Sequence, residues 1–215
     1  MAASLPWGRT PEAFRERLGG ADVTYGAQVN DRDIRTALRA HLESTRLSGA
    51  IIRDELGLCL GDTRVDLAVI GHTLAGFEIK SDRDRLDRLP GQIDRYSRVL
   101  DFATLVCGPR HEAKASAMLP AWWGIWVADD RDGQITFQPI RGASRNPSPD
   151  PYTVAQLLWR DEAMAALRLR GLHRGLSSAT RFRLWERMAD TMSIDEIQRT
   201  VHAAIMARPG WQACS

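Results

Sequence analysis

Between Ala50 and Lys80 three short apolar runs follow one another with room for only two glycine-bearing turns, and so many strands in so short a stretch leave few folds open. The runs cover 50–56 (AIIRDEL), 64–70 (RVDLAVI) and 74–80 (LAGFEIK), with turns at 57–62 and 71–73. Before them, residues 31–45 place Ile34, Ala37, Leu38 and Leu42 at near-helical spacing, with Asn30 or Asp31 able to cap the start. After them, Leu86, Leu89, Ile93, Tyr96 and Leu100 return to helical spacing, with Pro90 in a first turn or at a kink. Residues 103–108 read as a buried strand. Residues 123–129 and 134–140 read as a hairpin around the Asp-Arg-Asp-Gly turn. A helix between two strands permits a parallel pair, so the expectation is an α/β core, helix-strand-strand-strand-helix-strand, with a mixed sheet.

Residues 141–152 hold three prolines without apolar periodicity, the composition of a linker or an extended wrap. Beyond it the pattern is helical over about 153–170, 177–192 and 193–207, with capping boxes at Thr153–Gln156 and Ser193–Glu196 and punctuation at Gly171 and Gly175. The expected organisation is an N-terminal extension (1–29) with a short helix at Thr10–Pro11, a main domain (30–140), the linker, and a three-helix module (153–215) packed on the body.

A net charge of +2 is too small to demand a nucleic-acid partner, so any basic surface must be local. The arginine excess of residues 160–187 suits either a solvated helical face or a phosphate-binding one. Neither a long apolar span nor a signal-peptide pattern is present, which makes a cytoplasmic location the expectation, without a membrane partner. Cys59, Cys107 and Cys214 lack metal or disulfide spacing; the first two are expected as buried strand thiols.

The chain has two lysines against 27 arginines, and one of the two is Lys80. In a strand, Glu78 and Lys80 share a face while Phe77 and Ile79 take the other. One strand back, Asp66 interrupts an apolar run, at a cost on the order of several kcal/mol unless compensated. A hairpin brings it toward Glu78. Two carboxylates beside one lysine make a seat for a hard divalent cation, and an arginine-rich chain keeps lysine where a compact ammonium is needed. The plainer reading is an exposed Glu78–Lys80 ion pair worth roughly 0–1 kcal/mol, with Asp66 capping a turn.

These residues resemble the PD-(D/E)XK nuclease superfamily over 30–108. Asp66 matches the motif's first aspartate, with Val65 where proline is usual, and Glu78 and Lys80 match E-x-K. Gln92 and Tyr96 form Q-x3-Y, similar to the RecB-like branch, although Tyr96 equally suits an ordinary core aromatic. Glu43 or Glu55 supplies the additional acid of many members. Glu55 is preferred, on the strand next to that of Asp66, and Asp54 would face the opposite way. The stretch 78–96 is also similar to an uncharacterised bacterial and phage-encoded branch.

The resemblance implies a restriction-endonuclease-like fold and metal-dependent phosphodiester hydrolysis. Asp66, Glu78 and the Ile79 carbonyl would bind Mg²⁺ or Mn²⁺, Lys80 would orient a water, and Gln92 would support Lys80 or a phosphate oxygen. Single alanine substitutions of Asp66, Glu78 or Lys80 are expected to leave folding intact. Nucleic acid, DNA before RNA, is the implied partner, and a homodimer would suit paired cuts. The alternative is a non-cleaving nucleic-acid-binding or scaffold protein on the same fold. His111 has no partner histidine at ligand spacing, Trp122, Trp123 and Trp126 read as core, and Arg83 and Arg85 as exposed.

Overall fold

The computed structural model describes residues 30–45, 49–131 and 133–209; the helix expected at Thr10–Pro11 and Cys214 lie outside them. Helix α1 (Asp31–Thr45) begins where Asn30 Oδ1 accepts the Asp33 N–H at 3.0 Å, and it buries Ile34, Leu38 and Leu42. Strands β1 (Ile51–Leu58), β2 (Thr63–Ile70) and β3 (Leu74–Lys80) run antiparallel in sequence. Helix α2 (Leu89–Ser97) then crosses over, so that β4 (Phe102–Cys107) lies parallel to β3. A short α3 (Glu112–Met118), not anticipated from the sequence, leads to β5 (Gly124–Arg131), parallel to β4. Strand β6 (Gln134–Arg141) returns antiparallel to β5. The six strands stand in chain order in one mixed sheet, as the alternation of patterns implies.

Each face of the sheet has its own apolar layer. On one, the α1 stripe packs on Leu67, Val69, Phe77, Ile79, Val106 and Trp126. On the other, Ala68, Ile70, Leu74 and Leu105 share a cluster with α2 and with the helices that end the chain. Among the described residues those helices are four rather than three: α4 (Pro151–Ala155), α5 (Arg160–Leu169), α6 (Arg181–Thr191) and α7 (Ile194–Ala207). The expected helix over 153–170 is broken, since Glu162 Oε2 accepts the Trp159 N–H and starts a new helix there. The cap of α4 is also not Thr153; Asp150 Oδ1 accepts the Thr153 N–H at 2.7 Å, with Pro151 in the first turn. The Ser193–Glu196 box forms as expected.

Residues 142–150 carry no helix or strand and lie pinned along the body. Asn146, 6% exposed, donates from its side-chain amide to the carbonyls of Ser97 and Leu100 and from its backbone N–H to the carbonyl of Asp101. Asp101 is itself buried, accepting from Leu74 N, from Gln198 Nε2 at 2.6 Å and from His202 Nε2 at 3.2 Å, which ties α7 to the head of β4. Cys107 is buried in β4, but Cys59 falls one residue past β1 in a single 3₁₀ turn and is half-buried. Among the described residues no helix is long and apolar enough to cross a membrane.

Candidate active site

Strands β2 and β3 pair from Ile70↔Leu74 to Leu67↔Phe77 and then part. Continued by one step, that register sets Asp66 across from Glu78. Here a side chain takes over from the ladder, and the Ile79 N–H donates to Asp66 Oδ2 at 2.7 Å. The alternation of β3 sends Phe77 and Ile79 toward α1 and leaves Glu78 for α2.

Glu78 is 2% exposed, which removes the reading of a solvent-exposed ion pair. Its Oε1 receives Lys80 Nζ and Gln92 Nε2, each at 2.5 Å, and its Oε2 lies 2.5 Å from Tyr96 Oη. Gln92 and Tyr96 stand four apart on α2, hence on one helical face, and both serve Glu78 rather than Lys80. The Tyr96 hydroxyl also lies 2.7 Å from the Arg64 carbonyl, so one proton stands between two acceptors. Burial, then the charge of Glu78, raises the Tyr96 phenol well above its ordinary value and keeps it a hydrogen-bond donor. Tyr96 is a core aromatic as well: its ring stacks on Trp123 at 5.8 Å between centroids.

Asp66 is reached from the other layer. Arg35 of α1 places Nη2 at 2.6 Å from Asp66 Oδ1 and Nη1 at 3.2 Å from the Asp66 carbonyl, while Nη1 also donates to Glu55 Oε1 at 2.6 Å. The Asp66 carboxyl is nonetheless pushed up to about 6, first by burial and then by the Glu78 charge; the Ile79 N–H, Arg35 and Lys80 pull against that rise. For the Arg35 guanidinium, burial pulls downward, and the carboxylates of Asp66, Glu55 and Asp31 outweigh it to give a net rise.

Sequence reasoning missed Arg35. The signal was a line of charges at four-residue spacing, Asp31, Arg35, Arg39 and Glu43, running beside the apolar stripe of α1. Of the two candidate acids, Glu55 shares Arg35 with Asp66, whereas Glu43 pairs with Arg39 at 3.1 Å on the next turn. Asp54 was expected to face away from Glu55, yet it meets Arg39 of the same helix. The cause is local: Glu55 has φ 52, and the β1–β2 ladder passes from Asp54↔Leu67 to Leu56↔Val65, skipping Glu55 and Asp66.

Asp66, Glu78 and the Ile79 carbonyl are oxygen donors, the kind Mg²⁺ and Mn²⁺ take. Among the described residues no three His, Cys, Asp or Glu side chains gather as a metal cage, so a cation here would have to rest on two carboxylates, one carbonyl and water. Gln92 Oε1 is buried with no hydrogen-bond partner, and such an orphan acceptor beside Glu78 suits the O–H of a cation's water. In donor chemistry these residues fit the ion. Trp122, Trp123 and Trp126 are buried in the core, and Arg83 and Arg85 are exposed. In the arginine-rich segment, Arg160, Arg170 and Arg187 spend their guanidinium groups on backbone carbonyls, fastening loops and helix ends.

Protein cII of Enterobacteria phage P4 is 29% identical over 114 residues, a stretch amounting to 53% of this chain and 43% of that protein. The match thus spans less than half the length of that curated relative. A protein of unknown function from Silicibacter pomeroyi aligns in structure with 73% of this chain and 97% of its own, at 22% identity and a TM-score of 0.39. The profile of the Bacteriophage P4 protein cII family matches residues 26–212, taking in the sheet, the Asp66–Glu78 site and the closing helices. The chain belongs to the Bacteriophage P4 protein cII family.

Proposed function

We propose that the chain is a divalent-metal-dependent phosphodiesterase of the PD-(D/E)XK type acting on nucleic acid, with DNA the first substrate to try. The observation that carries the reading is the buried Glu78 carboxylate, ringed by Lys80, Gln92 and Tyr96 where β3 parts from the strand bearing Asp66. Asp66, Glu78 and the Ile79 carbonyl hold the cation. A bound Mg²⁺ or Mn²⁺ supplies Lewis acidity toward the phosphate and a water of lowered pKa. Lys80 keeps an ammonium at the Glu78 oxygen, from which it offsets negative charge building on the phosphate oxygens. Gln92 fixes Glu78 through its amide N–H and offers its free carbonyl oxygen to a water proton. Tyr96 locks the second Glu78 oxygen.

One observation favours a second reading, a non-cleaving nucleic-acid-binding or scaffold protein: Arg35 occupies the Asp66 oxygen that a cation would use. Incubation of the full chain with linear, circular and single-stranded DNA, and with RNA, with and without Mg²⁺ or Mn²⁺, separates the two. Cleavage that vanishes in EDTA and in Asp66→Asn supports the hydrolase. Cleavage that persists in either overturns it. Metal-independent binding with a steep salt slope and no product carries the second reading instead.

A further inference from the structure

Arg35 sits among more negative charge than one guanidinium neutralises. Asp66 Oδ1 and Glu55 Oε1 each lie 2.6 Å from it, and Asp31 Oδ2 lies 3.6 Å away, three carboxylates around one cation. The exposed Arg64, 3.7 Å from Glu55 Oε2, adds only a distant second partner. The backbone is shaped to this meeting. Glu55 takes a left-handed φ of 52, rare for a residue with a side chain, and it and Asp66 stand outside the β1–β2 ladder on adjacent strands. A strained residue that turns a carboxylate toward an arginine already bonded to Asp66 gives that arginine two partners.

We propose that Arg35 is a built-in stand-in for the divalent cation: it holds Asp66 in the metal-free protein, yields Asp66 Oδ1 when a cation binds, and retains Glu55 as its other partner. The inference rests on the metal reading of Asp66 and Glu78. Removing Asp66 from its arginine leaves a carboxylate in a site only 17% exposed, so the metal-free protein needs this counter-ion. The same contact makes cation entry a competition. Arg35 is therefore a positioning residue that lowers metal affinity and raises metal-free stability, with no contact to the reacting atoms required of it.

The test is calorimetric titration of MnCl₂ into the full chain as wild type, Arg35→Gln, Arg35→Lys and Asp66→Asn, with melting curves in EDTA and in Mn²⁺. Arg35→Gln is expected to bind Mn²⁺ about tenfold more tightly than wild type, to melt lower in EDTA, and to gain more from Mn²⁺. Arg35→Lys, which keeps the charge and loses the planar fork, is expected to fall between them, and it carries the test if the glutamine variant fails to fold. Unchanged or weaker Mn²⁺ binding in the Arg35 variants, with binding abolished in Asp66→Asn, overturns the role of Arg35 and leaves the metal site standing. No Mn²⁺ binding in any of the four proteins overturns both.

Discussion

At the scale of single residues, the chemistry concentrates on one buried carboxylate and the charges that keep it in place. Glu78 at 2% exposure has Lys80 as its counter-ion, so Lys80→Ala is expected to cost about 3 kcal/mol of stability, measurable by urea unfolding. That departs from the expectation that this variant folds as wild type, and it makes Asp66→Asn the cleaner test of activity. Asp66, raised from 3.8 to about 6 in the fold, binds its proton more tightly there than in the unfolded chain. Its contribution to stability is complete below the unfolded value and is lost as pH rises toward 6. Unfolding of the metal-free protein in EDTA from pH 4 to 7 should show that decline, and Asp66→Asn should flatten it. Asp66, Glu78, Lys80, Gln92 and Tyr96 were legible because strand alternation and four-residue helical spacing are local rules. Arg35 was not, because its place over β2 follows from how α1 lies across the sheet and from the φ of Glu55, neither of which a local pattern encodes.

At the scale of elements, the strands and the first two helices follow their apolar periods, and β3 falls on the expected residues, 74–80. The failure came between α4 and α5, where neither proline nor glycine marks a break and Val154, Leu157, Leu158 and Met164 read as one continuous pattern. The break is settled from far away. Arg208, 6% exposed at the end of α7, donates to the Leu157 carbonyl at 2.6 Å and pairs with Glu162 at 2.8 Å, satisfying the end of one helix and the start of the next. Arg208→Ala is expected to destabilise by about 3 kcal/mol, again by urea unfolding, with amide-exchange protection falling first around 156–163. In β5, Gly124 admits no side chain cheaply: an added Cβ would stand 3.0 Å from the Ala143 backbone nitrogen of the wrap. Gly124→Ala is expected to cost about 1–3 kcal/mol, read as a lowered Tm.

At the scale of the whole molecule, the closing helices are part of the core, since Val154, Leu167, Trp185, Val201 and Ile205 share one apolar cluster with Ile70, Leu74 and Leu105 of the sheet. A chain ending at Arg141 is expected to bind ANS and to lose near-ultraviolet circular dichroism while keeping much of its far-ultraviolet signal. Composition made the helical nature of this region plain; its role as a lid on the sheet depends on pairings no local pattern contains. One of them is Asp101 with Gln198, 97 positions apart and buried. Synthesis runs from the amino end, so the strand headed by Asp101 leaves the ribosome well before the helix whose side chains bond to it. Until α7 has been translated, one side of the nascent sheet stays wet and Asp101 lacks the partners which that helix brings. The sheet is therefore closed in a late step, after α7 has emerged, and a chain stalled before that helix never reaches it.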